Sequence, residues 1–107
     1  MANTFKVLAR KYGTTSTNDA YTVPSATKTL ITNIVVSNAD TSARTFTITL
    51  YNSTTAENVP LATATSVPAR DSVIIDAKTL LDTGDIVRIS ASVDSQVTFH
   101  ITGLEIT

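Results

Sequence analysis

The chain has 107 residues, with 8 Lys and Arg against 9 Asp and Glu, a single His and no Cys. That balance leaves no basic face able to neutralise phosphates, so nucleic acid is not an expected partner. Without Cys there are no disulfides and no thiolate chemistry, a pattern that fits a cytosolic origin.

The length corresponds to one domain, residues 1–107, and suffices for one core without covalent staples. Thr, Val and Ile number 21, 10 and 9, or 40 β-branched residues together. Such side chains are stiff at χ1 and fit a pleated surface, so the chain reads as all-β. Met1–Lys6 lacks the charged-then-apolar plan of a signal peptide, and no apolar run reaches the ~20 residues of a membrane-spanning helix. Charged residues are only 16% of the chain, and Ser and Thr supply much of its polar surface.

The first expected strand is 5–11, with Phe5, Val7 and Ala9 on one face. A polar loop at 12–18 leads to a short strand, 19–23, stopped by Pro24. Residues 28–38 are the most apolar segment, with Leu30, Ile31, Ile34, Val35 and Val36, and read as a central strand. After a turn-rich loop, 44–52 alternates Phe46, Ile48 and Leu50 with Thr45, Thr47, Thr49 and Tyr51. Residues 59–65 read as an edge strand because Pro60 interrupts them. Another strand is expected at 72–79, with Leu80 and Leu81 closing a helical turn.

The end of the chain reads as a β-hairpin. Val87, Ile89, Ala91 and Val93 alternate with polar residues, Asp94-Ser95-Gln96 turns, and Val97, Phe99 and Ile101 alternate again. Beyond Gly103 the apolar positions change to Leu104 and Ile106, which a β-bulge at Gly103 would explain. About eight strands at this spacing indicate an antiparallel β-sandwich. Its expected core is Val7, Ile34, Val36, Phe46, Ile48, Leu50, Ile75, Val87, Ile89, Phe99 and Ile101. Thr22-Val23-Pro24 and Ser66-Val67-Pro68 precede Leu30-Ile31 and Ile74-Ile75 at the same distance, which reads as one turn used twice.

No catalytic constellation emerges. His100 has no Gly-x-Ser-x-Gly elbow to serve and sits among Thr98 and Thr102 on the polar side of its strand. One His without Cys does not make a zinc site. Asp82-Thr83-Gly84-Asp85 lacks the residue order of a calcium loop and reads as turn capping. Gly-rich phosphate loops are absent. Tyr12, Tyr21 and Tyr51 are the residues on which a carbohydrate-binding sandwich would depend. Catalytic, cofactor and metal residues are therefore expected to be none, and the protein is expected not to be an enzyme.

Three stretches carry a resemblance. They are Tyr21-Thr22-Val23-Pro24 leading into Lys28-Thr29-Leu30-Ile31; Ile34-Val35-Val36-Ser37-Asn38 followed by the Phe46–Leu50 strand; and Leu81-Asp82-Thr83-Gly84-Asp85-Ile86-Val87-Arg88 closing at Gly103-Leu104-Glu105-Ile106. Together they resemble the small β-sandwich structural proteins of tailed-bacteriophage virions. The sequence departs from that style at Ser25-Ala26-Thr27, where a Gly-containing turn is expected. The resemblance implies a jelly-roll-like sandwich acting in the virion, assembled in the host cytoplasm. It implies a capsid decoration (cement) protein, with a neck, tail or baseplate component as the alternative. The implied partners are the major capsid protein or other virion proteins and further copies of the chain, as a homotrimer or other homo-oligomer, with no membrane. Expected contact residues are Leu104 and Ile106, Asp40, Thr41 and Ser42, and Ser53 and Thr54, with the loops 14–18, 40–43 and 52–58 as candidate surfaces.

Overall fold

The computed structural model describes residues 3–107; Met1 and Ala2, the start of the segment read above for a leader, lie outside them. The strands are β1 (Asn3–Tyr12), β2 (Asn18–Thr22), β3 (Lys28–Asn38), β4 (Arg44–Asn52), β5 (Glu57–Val67), β6 (Ser72–Ile75), β7 (Thr79–Leu81), β8 (Ile86–Ala91) and β9 (Val97–Ile106). They form two antiparallel sheets. The first has the order β1-β9-β3-β6, with β7 also on β3, and the second the order β2-β8-β4-β5. β6 and β7 pair with different stretches of the same β3 strand. They occupy one place in the sheet, so nine strands fill eight rows. Two four-row sheets with this crossing order are a jelly roll, as expected.

Alternation builds the core. Ile34, Val36, Phe99 and Ile101 from the first sheet face Phe46, Ile48, Val87 and Ile89 from the second, and all are buried. Phe46 and Phe99 meet edge to ring across the two layers, centroids 5.9 Å apart at 79°, a geometry the ring quadrupoles favour. Leu50 and Ile75 of the expected core are half-buried against it, and Val23, Ile31, Val67, Leu81 and Val97 join it.

Several expectations are corrected. The closing segment is not a hairpin: β8 pairs with β2 and β4, whereas β9 pairs with β1 and β3. Asp94-Ser95-Gln96 is an arch between sheets. Period two fixes which face is buried, but not which strand lies alongside. The 72–79 strand is two strands, broken where Lys78 takes φ 42°, and Leu80 and Leu81 lie in β7 rather than in a helical turn.

β9 carries no bulge at Gly103. Its alternation runs unbroken, and the register shifts lie on both neighbours, between Val7 and Ala9 of β1 and between Ile31 and Asn33 of β3. The shift at Leu8 turns the start of β1 over. Phe5 and Val7 are therefore exposed at 70% and 42%, and Val7 is not core. Gly103 is needed for packing: a Cβ there would strike the Leu30 carbonyl oxygen and come within 2.8 Å of Leu8 Cδ1.

The repeated Pro turn is real. Val23 and Val67 are both buried, and each turn carries the chain from the second sheet to the first. Ala26 and Arg70, each two residues after its Pro, both have φ 54°. The turn at Ser25-Ala26-Thr27 thus takes the left-handed conformation without the expected Gly.

Candidate interaction surface

Hydrogen bonds gather the loops at two opposite ends of the strands. At one end Ala91 N donates to Thr14 O, Ser95 N to Gly13 O, Ala39 N to Gln96 O and Arg70 N to Asp40 O. Asn38 binds the end together, donating through Nδ2 to the Ser42 and Val67 carbonyls while Oδ1 accepts from Asp40 N. Asp40 also holds Arg44 at 2.7 Å. The guanidinium bond, then the Thr41 N–H, holds the Asp40 carboxyl below the usual carboxylate range.

At the other end Asp85 is the knot. Its Oδ1 accepts from Ser53 N and Oγ, and its Oδ2 from Asp82 N. Burial pulls its pKa upward, yet these three bonds outweigh that and leave it below the usual value. Thr83 Oγ1 donates to Thr27 O, and Lys28 pairs with Asp82 at 2.8 Å. Both ends are thus held in one shape by capped turns.

The expected contact residues fall into three places. Asp40, Thr41 and Ser42 lie at the first end, and Ser53 and Thr54 at the second. The structure does not bring these two loop groups together. Leu104 and Ile106 lie on the outer face of the first sheet, half-buried among their neighbours. The bulge invoked to turn them outward is not needed, since that is where the alternation of β9 already puts them.

The surface that sequence reasoning missed surrounds those two residues. Phe5 pairs with Leu104, Leu104 with Leu30, and Leu30 with Leu80. Directly opposed residues share a face, so these four side chains form one apolar row across the outer face. Phe5 is 70% and Leu80 56% exposed. A second row runs Arg10–His100–Val35–Ile74, and Ile74 is 71% exposed. β9 and β3 were legible as strands, but the rows require the partner order, which alternation does not carry.

The outer face of the second sheet is different. It presents Thr45, Thr47, Thr49 and Ser90, with Arg88 lying 4.5 Å over the Tyr51 ring and bonded to Asp19 and Asn58. The three Tyr residues do not share a surface. Tyr12 is exposed beside Arg10, His100 and Thr98, around a hollow of about 220 Å³. Tyr51 is on the opposite sheet. Tyr21 reaches between the sheets, its hydroxyl 2.5 Å from Glu105 Oε2 and 2.8 Å from Thr29 Oγ1. Lys6 closes on Glu105 at 3.3 Å.

Burial, then the Glu105 bond, pushes the Tyr21 pKa up to about 12, and the same bond holds Glu105 low. Among the described residues no group of three or more His, Cys, Asp and Glu is placed to hold a metal ion. Among the described residues no helix is long and apolar enough to cross a membrane.

No family model matches this chain, and no curated protein matches it. Among solved structures, an Anabaena sensory rhodopsin transducer aligns with 94% of this chain and 97% of its own, at 19% identity and a TM-score of 0.45.

Proposed function

We propose that this chain is a non-enzymatic structural subunit of a tailed-bacteriophage virion, most concretely a capsid decoration protein. The observation that carries the reading is the outer face of the first sheet, where Phe5, Leu104, Leu30 and Leu80 line up across the strands with both ends of the row exposed. Contiguous exposed apolar surface of this kind is a mark of interaction sites, which a subunit of an assembly requires. The two rigid loop ends, around Asp40–Ser42 and Ser53–Thr54, supply polar surfaces that can touch capsid subunits without reordering. Repetition of weak contacts over many copies then yields strong attachment through effective concentration.

The test is this chain's copy number and position in purified particles, by quantitative mass spectrometry and immunogold labelling. Hundreds of copies along the head are expected. A dozen or fewer at the vertex or tail would transfer the reading to a neck, tail or baseplate component. Complete absence from particles overturns it.

A further inference from the structure

We propose that the outer face of the first sheet is a homodimer interface, in which two copies stack face to face about a two-fold axis parallel to the strands. This pairing does not depend on the virion reading, since it uses only the chemistry of the face.

The edges direct association to the face. β1, one edge of the first sheet, turns Lys6 and Lys11 toward the inner side, as their partners Gly103 and Phe99 show. Lys11 Nζ is tied to Asp19 O at 3.2 Å. The opposite edge is cut between β6 and β7. In the second sheet β5 carries Pro60 and two register shifts, and β2 has only 5 residues. Inward charges, prolines, bulges and short strands all oppose extension of a sheet by another chain. The apolar row on the outer face meets no such obstacle.

The face is complementary to itself. A two-fold axis parallel to the strands places β1 of one copy over β6 and β7 of the other at the same height. The row Phe5–Leu104–Leu30–Leu80 then lies on its own reverse, Phe5 over Leu80 of the second copy and Leu104 over Leu30. The charged rim follows the same symmetry. Arg10, at the β1 end of the second row, makes no ion pair among the described residues. It comes to lie over Ile74 of the second copy. Two residues beyond Ile74 is Asp76, whose carboxylate, among the described residues, pairs with the neighbouring Lys78 at 3.3 Å. One edge brings the cation and the other the carboxylate, which is what an isologous interface requires. Two twisted sheets stack this way about 10 Å apart with their strands roughly aligned. A foreign partner would have to supply both halves of a pattern that this chain already contains.

Sedimentation equilibrium of the full chain over a concentration series tests the proposal, against a protomer mass of 11.3 kDa. Reversible dimerisation is expected, and Leu104→Arg, at the centre of the face, should leave only monomer. Arg10→Asp removes the pair at both of its symmetry-related positions and should weaken the dimer by up to about 25-fold, about fivefold for each exposed pair, and adding Asp76→Arg should restore it. Because the chain has no Cys, Phe5→Cys and Leu80→Cys proteins can be mixed and treated with a bis-maleimide spanning about 10 Å, matching the sheet separation. The expected product joins position 5 of one copy to position 80 of the other. This measurement decides the matter even if Leu104→Arg does not fold. A wild-type chain that stays monomeric at millimolar concentration, a dimer indifferent to Leu104→Arg, or cross-links joining 5 only to 5, overturns the proposal.

Discussion

Single residues in this fold are held against their own preferences where a loop must close. Ala26 and Arg70 both sit at φ 54° after a Pro. A left-handed backbone costs a residue with a Cβ roughly 1–2 kcal/mol, while Gly in a folded chain costs about 0.5–1 kcal/mol in entropy. Ala26→Gly and Arg70→Gly are therefore expected to raise stability by up to about 1 kcal/mol each, read as a higher urea midpoint with an unchanged slope. Gly84 has φ 87°, and a Cβ there would lie 3.2 Å from Ser53 Oγ. Gly84→Ala should move the midpoint down. Equal effects from all three substitutions would contradict this account of the turns.

The Tyr21–Glu105–Thr29 node makes a second prediction at the same scale. The pKa of Tyr21 is raised from its ordinary 10.0 to about 12, so the folded state keeps its proton longer than the unfolded chain. That contribution is fully present below pH 10 and is lost as pH rises from 10 towards 12. Glu105 and Asp85 are held below their ordinary 4.5 and 3.8. Their contributions are present above those values and are lost as pH falls through the lowered ones. Tyr21→Phe should cost about 1–3 kcal/mol at neutral pH, because Thr29 and Glu105 lose a partner. It should also flatten the alkaline limb of the stability profile. If urea midpoints of the variant fall between pH 10 and 12 as steeply as those of the wild type, Tyr21 is not the titrating group.

At the scale of elements, much was legible, and the reason is local. Strands β3 and β4 could be read whole, because Ile34, Val36, Phe46 and Ile48 alternate strictly and turn residues flank them. The jelly-roll-like sandwich is the observed fold. What failed was everything that depends on the neighbour. The β8–β9 segment looks like a hairpin because its turn residues and alternation suit one, yet the chain changes sheet there. The face of Phe5 and Val7 was misread because the register shift at Leu8 carries no Gly or Pro to mark it. The break at Asp76–Lys78 is equally silent. Of the expected contact residues, only Leu104 and Ile106 sit on an apolar surface, and the sequence could not place Phe5 or Leu80 beside them, since they lie far away along the chain.

Phe46 of β4 and Phe99 of β9 show how elements in different sheets depend on each other. Both are essentially fully buried, at 1% and 0% exposure. Truncating either to Ala should cost about 3–5 kcal/mol. The double variant should cost less than the sum, because the edge-to-face pair adds about 0.5–1.5 kcal/mol that can be lost only once. A double-mutant cycle by chemical denaturation measures that coupling. Strict additivity would mean that the two rings pack independently and that the sheets are joined elsewhere.

For the whole molecule, the pairing order places the last part of the chain in the middle of both sheets. β9, last in sequence, lies between β1 and β3, while β8 lies between β2 and β4. Every central strand therefore waits for a partner distant along the chain, which favours slow, cooperative folding over local growth. The stability of individual hydrogen bonds should follow position in the sheets rather than position in sequence. Amides of β3, β9, β4 and β8, covered by a strand on each side, should exchange with solvent only through global unfolding. Those of β5, β6 and β7, on the edges, should exchange earlier through local opening. Native-state hydrogen exchange at increasing denaturant resolves the two classes. β1 is the informative strand: an edge within one molecule, it carries Phe5 on the face proposed to meet a second copy. If that interface forms, protection of β1 and β7 should rise with protein concentration while that of β5 stays constant. A uniform rise, or none, would remove the face from the assembly while leaving the fold as described.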